Sequence, residues 1–291
     1  MTARPVVIRS RLSMHKRHKI KNIIRNIVVI LITLLFVCPL YVSLVYSLKQ
    51  PSEMGTSSPL SLPKSLYLGN FRDVITKNSD FQTGFVNSLI TTFWIVAVLT
   101  VITPIASYVL ARSRRKIYNF VYYIFLMGIL IPFQCIMFPT YVNLKAIGLM
   151  NTLSGFVIVR IGFQIGMCIL VITDFVRTVP VELEEAANID GAGIFRTFWR
   201  VVYPLMKPIN ITMLVLNTLF SWNDFYVSVT ILQSAQNRTL PLAQFVYRSE
   251  SGVDVNQAFA FFTLCMLPVL ILYLFSQRYI VSGIMSGAVK G

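Results

Sequence analysis

The stretch Glu182–Pro204, ELEEAANIDGAGIFRTFWRVVYP, is the one long acid-bearing segment between the apolar runs in the middle of this chain. Its first nine residues hold four of the eleven acidic residues of the protein: Glu182, Glu184, Glu185 and Asp190. A charged segment with apolar runs on both sides predicts a connector at a membrane surface. The side of the membrane on which it lies follows from the distribution of basic residues along the chain.

The amino-acid composition is that of a membrane protein. Of 291 residues, 55% are hydrophobic and 13% are charged, and the mean hydropathy is +0.68. Soluble domains carry about 25% charged residues, so roughly half of the usual charge is missing. Apolar runs of about 18 residues or more recur, which predicts transmembrane helices. The four cysteines lie singly in apolar runs, and the two histidines lie in a basic tail, so no metal or redox motif is predicted.

These runs predict six transmembrane helices, over residues 26–48, 83–111, 117–142, 152–176, 208–232 and 256–276. The remaining segments are a basic tail (1–25), an outer loop (49–82), the inner connector (177–207) within a five-helix core (83–276), and a C-terminal tail (277–291). The first apolar run is too long for a signal peptide, so we expect it to remain as a span. Pro132 and Pro139 are expected to kink the third helix because proline removes a backbone donor.

Basic residues set the expected orientation. The net charge of +15 is carried in short connectors, which is typical of topology signals and not of a nucleic-acid-binding face. With both termini inside, 18 of the 26 Lys and Arg residues fall in inner segments and 7 in outer ones. The sequence therefore predicts that both termini and the acidic connector are cytoplasmic.

The connector itself predicts two short helices around a glycine turn. Pro180 suits a first helical turn, and the acids that follow are favoured by the helix dipole. Asp190-Gly191 is expected to end this first helix, since glycine adopts the left-handed conformation. A second helix is expected from about Gly193 to Tyr203, stopped by Pro204.

The second helix is expected to be amphipathic. One apolar stripe with helical spacing is formed by Phe195, Phe198, Trp199 and Val202. Arginines lie on another face, which suits a helix at the membrane interface. From the residues alone, a solvated connector remains the simplest alternative. An acid/base pair in a membrane enzyme is weaker, because no nearby His, Cys or Ser completes a catalytic set.

Two ionisable residues fall well inside predicted spans, where such residues usually mark function. Arg160 and Asp224 each lie about eight residues from the outer end of a span, roughly 12 Å deep. We expect them to share a layer and either to pair or to line a translocation path, with Asn223 beside Asp224. The alternative is that Arg160 extends to the outer interface, while Asp224 is satisfied by Asn223 and a neighbouring helix.

Three motifs in this sequence resemble those of one known family. Glu185-Ala186-Ala187, followed by Gly191 and then by Val201-Val202-Tyr203-Pro204, resembles the EAA loop in the permease subunits of binding-protein-dependent ABC importers. Trp222–Phe225, WNDF, resembles an element of the carbohydrate permeases. The tail from Gln277, QRYIVSG followed by GAVKG, resembles the C-terminus of maltose-permease-like subunits.

The resemblance implies an all-α polytopic protein with the type I ABC importer permease fold. It implies that the first connector helix seats on a cytoplasmic ATPase subunit through Glu182, Glu185, Ala186, Ala187, Asp190, Gly191 and Pro204. Tail residues Gln277, Gly287 and Lys290 would also contact that subunit. No phosphate-binding loop motif occurs in this sequence, so ATP and magnesium would be bound by the partner and no cofactor by this chain.

The resemblance also implies the partners and the cargo. A second permease subunit, a hetero-partner or a second copy, two ATPase subunits, an external solute-binding protein and membrane lipid are expected, with a sugar as the substrate and no nucleic acid. The expected location is the bacterial cell membrane, and the expected role is a transport subunit and not an enzyme. Two alternatives stay open: a permease for a polyol or glycerol phosphate, and a polytopic membrane enzyme.

Overall fold

The structure, a computed structural model, describes residues 6–249 and 254–288, with side chains described for residues 21–247 and 254–277. All regular elements in these residues are helical, and no strand occurs among them. The α-helices are α1 (Val6–Leu48), α2 (Gly69–Lys77), α3 (Ser79–Arg112), α4 (Lys116–Ile129), α5 (Phe133–Ala146), α6 (Leu153–Thr178), α7 (Glu182–Ile189), α8 (Ile194–Thr197), α9 (Tyr203–Leu205), α10 (Lys207–Trp222), α11 (Tyr226–Ile231), α12 (Leu240–Ser249) and α13 (Val255–Ala288).

Four helices, α1, α3, α6 and α13, each contain a segment long and apolar enough to cross a bilayer. The predicted all-α polytopic fold is thereby confirmed. Two of these helices extend beyond the predicted spans: α1 begins at Val6, inside the basic tail, and α13 continues to Ala288, inside the C-terminal tail. The segments expected to be tails are therefore largely helical in the described residues.

The third predicted span is not one continuous helix. α4 and α5 are apolar enough to count together as one broken span, but their axes meet at 103°. Pro132 precedes α5 with an extended backbone, and a proline forces the residue before it away from the helical conformation. Pro139, in contrast, lies inside α5 without ending it. The expected kink thus becomes a full change of direction at Pro132 alone.

The fifth predicted span, residues 208–232, is also divided. α10 has 16 residues and α11 has 6, separated by Asn223, Asp224 and Phe225. Asparagine and aspartate favour helix ends because their side chains compete for backbone hydrogen bonds. The prediction of a single helix here was wrong, and the break falls within the WNDF element.

The first of two compact units comprises Met1–Phe71 and Asp254–Thr263. One of its fully buried large side chains is a cation: Lys49 is 0% exposed. Lys49 Nζ donates to Ser58 O at 2.8 Å, to Ser57 Oγ at 3.0 Å and to Ser61 Oγ at 3.3 Å, and lies 5.0 Å from the centre of the Tyr46 ring. The loop after α1 is therefore folded around one ammonium group.

Replacing Lys49 with Met is expected to loosen this loop. The loop would lose three hydrogen bonds to a charged group, each of which contributes about 1.5–3 kcal/mol. Limited proteolysis between Pro51 and Tyr67 and the thermal unfolding temperature of the purified protein measure the change. Lys64→Met is the matched control, because Lys64 is an exposed lysine of the same loop; equal behaviour of both variants would contradict the interpretation.

The second unit comprises Arg72–Val253 and Leu264–Gly291. Its core lies between α3, α6 and α10, which are the most extensively packed helices of the unit. Buried apolar side chains come from each of these helices and from the segment that precedes α10, among them Leu99, Phe156, Ile172, Val202 and Met213. This core holds both the acidic connector and the Arg160–Asp224 layer.

Candidate functional site

Helix α7 and its glycine turn form where the sequence predicted them, except that α7 begins at Glu182 and Pro180 lies before its first turn. Glu182, Glu184 and Glu185 occupy the first turn of α7, where the positive end of the helix dipole favours carboxylates. The helix ends at Ile189, and Gly191 has φ +81°, a left-handed conformation that suits glycine. No atom lies within 4 Å of the position where a Cβ of Gly191 would stand, so the backbone alone requires glycine here.

Most residues predicted to contact an ATPase are on the surface. Glu182, Glu185, Ala186, Asp190, Gly191 and Pro204 are exposed, and Ala187 is half-buried. The same surface carries three apolar side chains that were not predicted as contacts: Ile189 is 86% exposed, Ile194 76% and Phe195 77%. Large apolar side chains at this level of exposure on a polar connector are typical of an interaction site.

The second predicted helix differs from expectation. It consists of α8, a π-helical turn over Phe198–Val202 and α9, and it continues past Pro204 towards α10. Proline lacks an N–H and its ring collides with the carbonyl four residues earlier. Here Tyr203 N–H donates to Phe198 O in the wider π register, so the bonding pattern is reset just before Pro204.

The predicted apolar stripe does not lie on one face. Phe198 and Val202, at the two ends of the π-helical turn, are buried in the core. Phe195, in α8 before that turn, is exposed and its ring contacts that of Trp199, which is 38% exposed. The stripe interpretation was therefore wrong for Phe195.

Glu184 anchors the connector, a role that was not predicted from the sequence. Its side chain is buried, and Oε2 accepts a hydrogen bond from Tyr108 Oη at 2.9 Å. Its Oε1 accepts from Arg112 Nε at 2.7 Å, and Arg112 also donates through Nη2 to Val179 O at 2.7 Å. The sequence did contain a signal for these partners of Glu184: Tyr108 and Arg112 are four residues apart and therefore share a face of α3.

Arg160 and Asp224 come together, as the sequence allowed. Arg160 Nε lies 3.4 Å from Asp224 Oδ2, an ion-pair distance, with side chains 16% and 7% exposed. Asp224 Oδ1 also accepts from the Ser228 N–H at 3.0 Å at the start of α11. The interpretation in which Arg160 extends alone to the interface is therefore wrong.

Arg160 also closes the broken end of α10. Its Nη2 donates to Phe220 O at 2.8 Å. The last carbonyls of a helix lack intrahelical donors and carry partial negative charge, so a cation is favoured there. One guanidinium thus serves both the carbonyl end of α10 and the carboxylate in the break.

Asn223 and Trp222 lie on either side of the α10 terminus. Asn223 is exposed and lines a cavity of about 250 Å³ together with Gln244. Trp222 is buried and donates from Nε1 to Cys265 O at 3.3 Å. The three predicted path residues, Arg160, Asn223 and Asp224, therefore all lie at the end of α10. Arg160 contacts Asp224, whereas Asn223 faces the cavity that it lines with Gln244.

A second polar contact, between α6 and α10, was missed. Gln164 Nε2 donates to Asn217 Oδ1 at 2.7 Å, and Cys168 Sγ lies 3.3 Å from the same oxygen. Arg160, Gln164 and Cys168 are spaced by four residues and so share one face of α6. That spacing in the sequence would have predicted a polar seam along this helix.

The C-terminal tail is described only in part. Gln277 is exposed, with its Nε2 3.2 Å from Leu274 O. Gly287 lies within α13, and Lys290 lies outside the described residues. Elsewhere in the described chain, no group of three His, Cys, Asp or Glu side chains is arranged to hold a metal ion.

Comparison with known proteins places this fold and connector in a family. Residues 100–286 match the model of the binding-protein-dependent transport system inner membrane component. The chain belongs to this family: it is a multi-pass membrane permease subunit of a binding-protein-dependent importer, and it is a transport component and not an enzyme.

Individual relatives agree over most of the chain. The probable starch degradation products transport system permease protein AmyC of Thermoanaerobacterium thermosulfurigenes is 35% identical over 90% of this chain and 94% of its own length. The multiple sugar-binding transport system permease protein MsmG of Streptococcus mutans is 32% identical over 95% of this chain and all of its own. A chain of a bacterial ABC transporter involved in the import of the acidic polysaccharide alginate shares the fold, with TM-score 0.78, 18% identity and coverage of 90% and 96%.

Proposed function

We propose that this chain imports a sugar or oligosaccharide across the bacterial plasma membrane, coupled to a separate ATPase through the Glu182–Pro204 connector. The cargo proposal is supported by two relatives, AmyC and MsmG, whose names refer to starch degradation products and to multiple sugars. The partners are a second permease subunit, two ATPase subunits that bind ATP and magnesium, and an external solute-binding protein.

The observation that carries the coupling proposal is the exposed surface of the connector. Around Gly191 it offers carboxylates at Glu182, Glu185 and Asp190 beside the apolar Ile189 and Phe195. An apolar centre with a charged rim is the usual anatomy of a protein interface. The small Ala186 and Ala187 let a partner approach the helix backbone closely.

The proposed path runs beside the break between α10 and α11. Irregular backbone within a membrane is tolerated where it is buried in protein or lines a water-filled cavity, and broken helices are common at transporter binding sites. Arg160, Asp224 and Asn223 lie at this break, so we propose that they border the route of the sugar. The C-terminal tail from Gln277 is proposed as a further contact with the ATPase.

Phe195→Glu is expected to detach the ATPase while the permease still inserts. Removing an interface residue that anchors a partner typically lowers the binding free energy by about 2 kcal/mol or more, which is about a thirtyfold loss of affinity. Co-purification of the ATPase with tagged permease measures this loss. Tyr67→Glu is the matched control, because Tyr67 is an exposed aromatic residue in the first loop. An aromatic residue within a span, such as Phe36, would not serve, because a charge there would disturb membrane insertion. Equal ATPase recovery with Phe195→Glu and wild type would contradict the docking proposal.

The cargo is tested separately. Purified binding protein encoded with this permease is screened against sugars, polyols and glycerol phosphate by calorimetry, and the best ligand is then used in uptake by proteoliposomes that contain the assembled transporter. Uptake of a sugar supports the proposal, whereas exclusive uptake of a polyol or glycerol phosphate favours that alternative.

A further inference from the structure

The buried Glu184 ties α7 to the end of α3. It accepts hydrogen bonds from both Tyr108 and Arg112, and Arg112 also holds Val179 O, in the link between α6 and α7. Charge-assisted hydrogen bonds with short distances resist separation more strongly than neutral contacts do. A pull on α7 would therefore act directly on the last turn of α3.

Helix α3 has a built-in weak point between this tie and its other half. Pro104 lies inside α3, four residues before Tyr108. Proline gives no N–H to the carbonyl of Thr100, so this turn of the helix lacks one of its hydrogen bonds. Sharp bends in helices occur preferentially at such prolines.

The half of α3 that precedes Pro104 in the sequence borders a large cavity. A space of about 860 Å³ is lined by α3 from Leu89 to Val101, by α10 from Leu214 to Trp222 and by α13 from Pro268 to Phe275. Trp222 lines this cavity and is also the last residue of α10, directly before the break. A bend at Pro104 would change the width of the cavity beside the proposed path.

We propose that Glu184 and Arg112 are positioning residues that make α7 and the last turn of α3 move as one body, with α3 bending at Pro104. This inference rests on the proposed coupling function, and it adds the route by which movement enters the membrane core. The exposed acids Glu182 and Glu185 would contact the ATPase, whereas the buried Glu184 would transmit the movement of the ATPase within this chain.

Distance measurements between spin labels test the proposal in a chain that keeps both residues. The exposed Cys38 and Cys135 are first replaced with serine. One label is placed on α7 at Asn188→Cys, and the second either in the last turn of α3 at Val109→Cys or near its other end at Val86→Cys. All three positions are exposed. The assembled transporter is compared without nucleotide and with magnesium-ATP and vanadate.

We expect the 188–109 distance to stay constant between the two states while the 188–86 distance changes. A change in the 188–109 distance would show that α7 moves independently of α3 and would overturn the proposal. Constancy of both distances would show that α3 does not bend and would overturn it equally.

Arg112→Lys tests the residue itself, with Arg114→Lys as the matched control. A lysine keeps a charge beside Glu184 but lacks the planar fork that serves Glu184 and Val179 together. Arg114 is an exposed arginine just beyond α3. We expect Arg112→Lys to retain the bound ATPase and its hydrolysis, and to lower sugar transported per ATP by about tenfold, within the range for mutations along a coupling route.

An unchanged transport-to-ATP ratio in Arg112→Lys would mean that the ion pair is only structural, which overturns the proposal. Failure of the docking proposal has a different sign, equal ATPase recovery with Phe195→Glu and wild type, so the two failures are distinguishable. Should Arg112→Lys not assemble, the label distances in the protein with native Glu184 and Arg112 decide the question.

Discussion

Gly191→Pro is expected to abolish coupled uptake while leaving insertion into the membrane intact. Proline fixes φ near about −65°, whereas Gly191 has φ +81°. The substitution also removes the N–H that donates to Asn188 O at 3.0 Å. A misplaced proline costs about 3 kcal/mol or more, which corresponds to at least about a hundredfold loss of the native turn.

Uptake of the identified cargo and ATPase activity of the assembled complex are the measurements. Gly193→Ala is the matched control: Gly193 has φ −73° and open space around it, so alanine should be neutral there. Gly191→Ala should be intermediate, because a left-handed alanine costs about 1–2 kcal/mol and meets no atom within 4 Å. Normal uptake by Gly191→Pro would show that the turn does not carry the coupling.

Removing one charge of the Arg160–Asp224 pair is expected to destabilise the folded protein more than removing both charges. Removing one partner of a buried ion pair leaves an uncompensated charge and costs about 3–5 kcal/mol, whereas removing both is often close to neutral. Arg160→Gln and Asp224→Asn should each lower the yield of folded, monodisperse permease. The double variant should recover much of that yield.

Uptake by the double variant separates structure from transport. If the pair borders the sugar route, the recovered double variant should assemble with the ATPase and still transport slowly. Full transport by the double variant and by both single variants would contradict a role in the path. Gln164→Leu offers a comparison at the same face of α6, because its amide is paired with Asn217 and not with the break.

The sequence was most informative where a single residue type has one strong physical preference. Gly191 marked the turn because only glycine takes that backbone conformation without cost. Arg160 and Asp224 could be placed in one layer because charges inside a membrane require partners. Apolar run length predicted the long helices, although α1 and α13 extend beyond their apolar parts.

The sequence was least informative where helix geometry depends on tertiary contacts. Pro132 and Pro204 have the same local preferences, yet the chain turns by 103° at Pro132 and continues in a helix past Pro204 after a π-helical turn. The break after Trp222 is held by Arg160 from another helix. Glu184 and Glu185 are adjacent acids in one turn, and only the fold decides which of them faces Arg112.

The divided helix pair α10 and α11 has a consequence for biogenesis. α10, at 16 residues, is about 24 Å long, shorter than the roughly 30 Å hydrocarbon layer, and it ends beside a carboxylate. Such a segment is a poor substrate for membrane insertion by itself. Its cationic partner lies in α6, which leaves the ribosome earlier. Because α6 is synthesised first, Arg160 is already in the bilayer when α10 inserts. The nascent chain therefore supplies the positive charge that neutralises the Asp224 carboxylate during insertion.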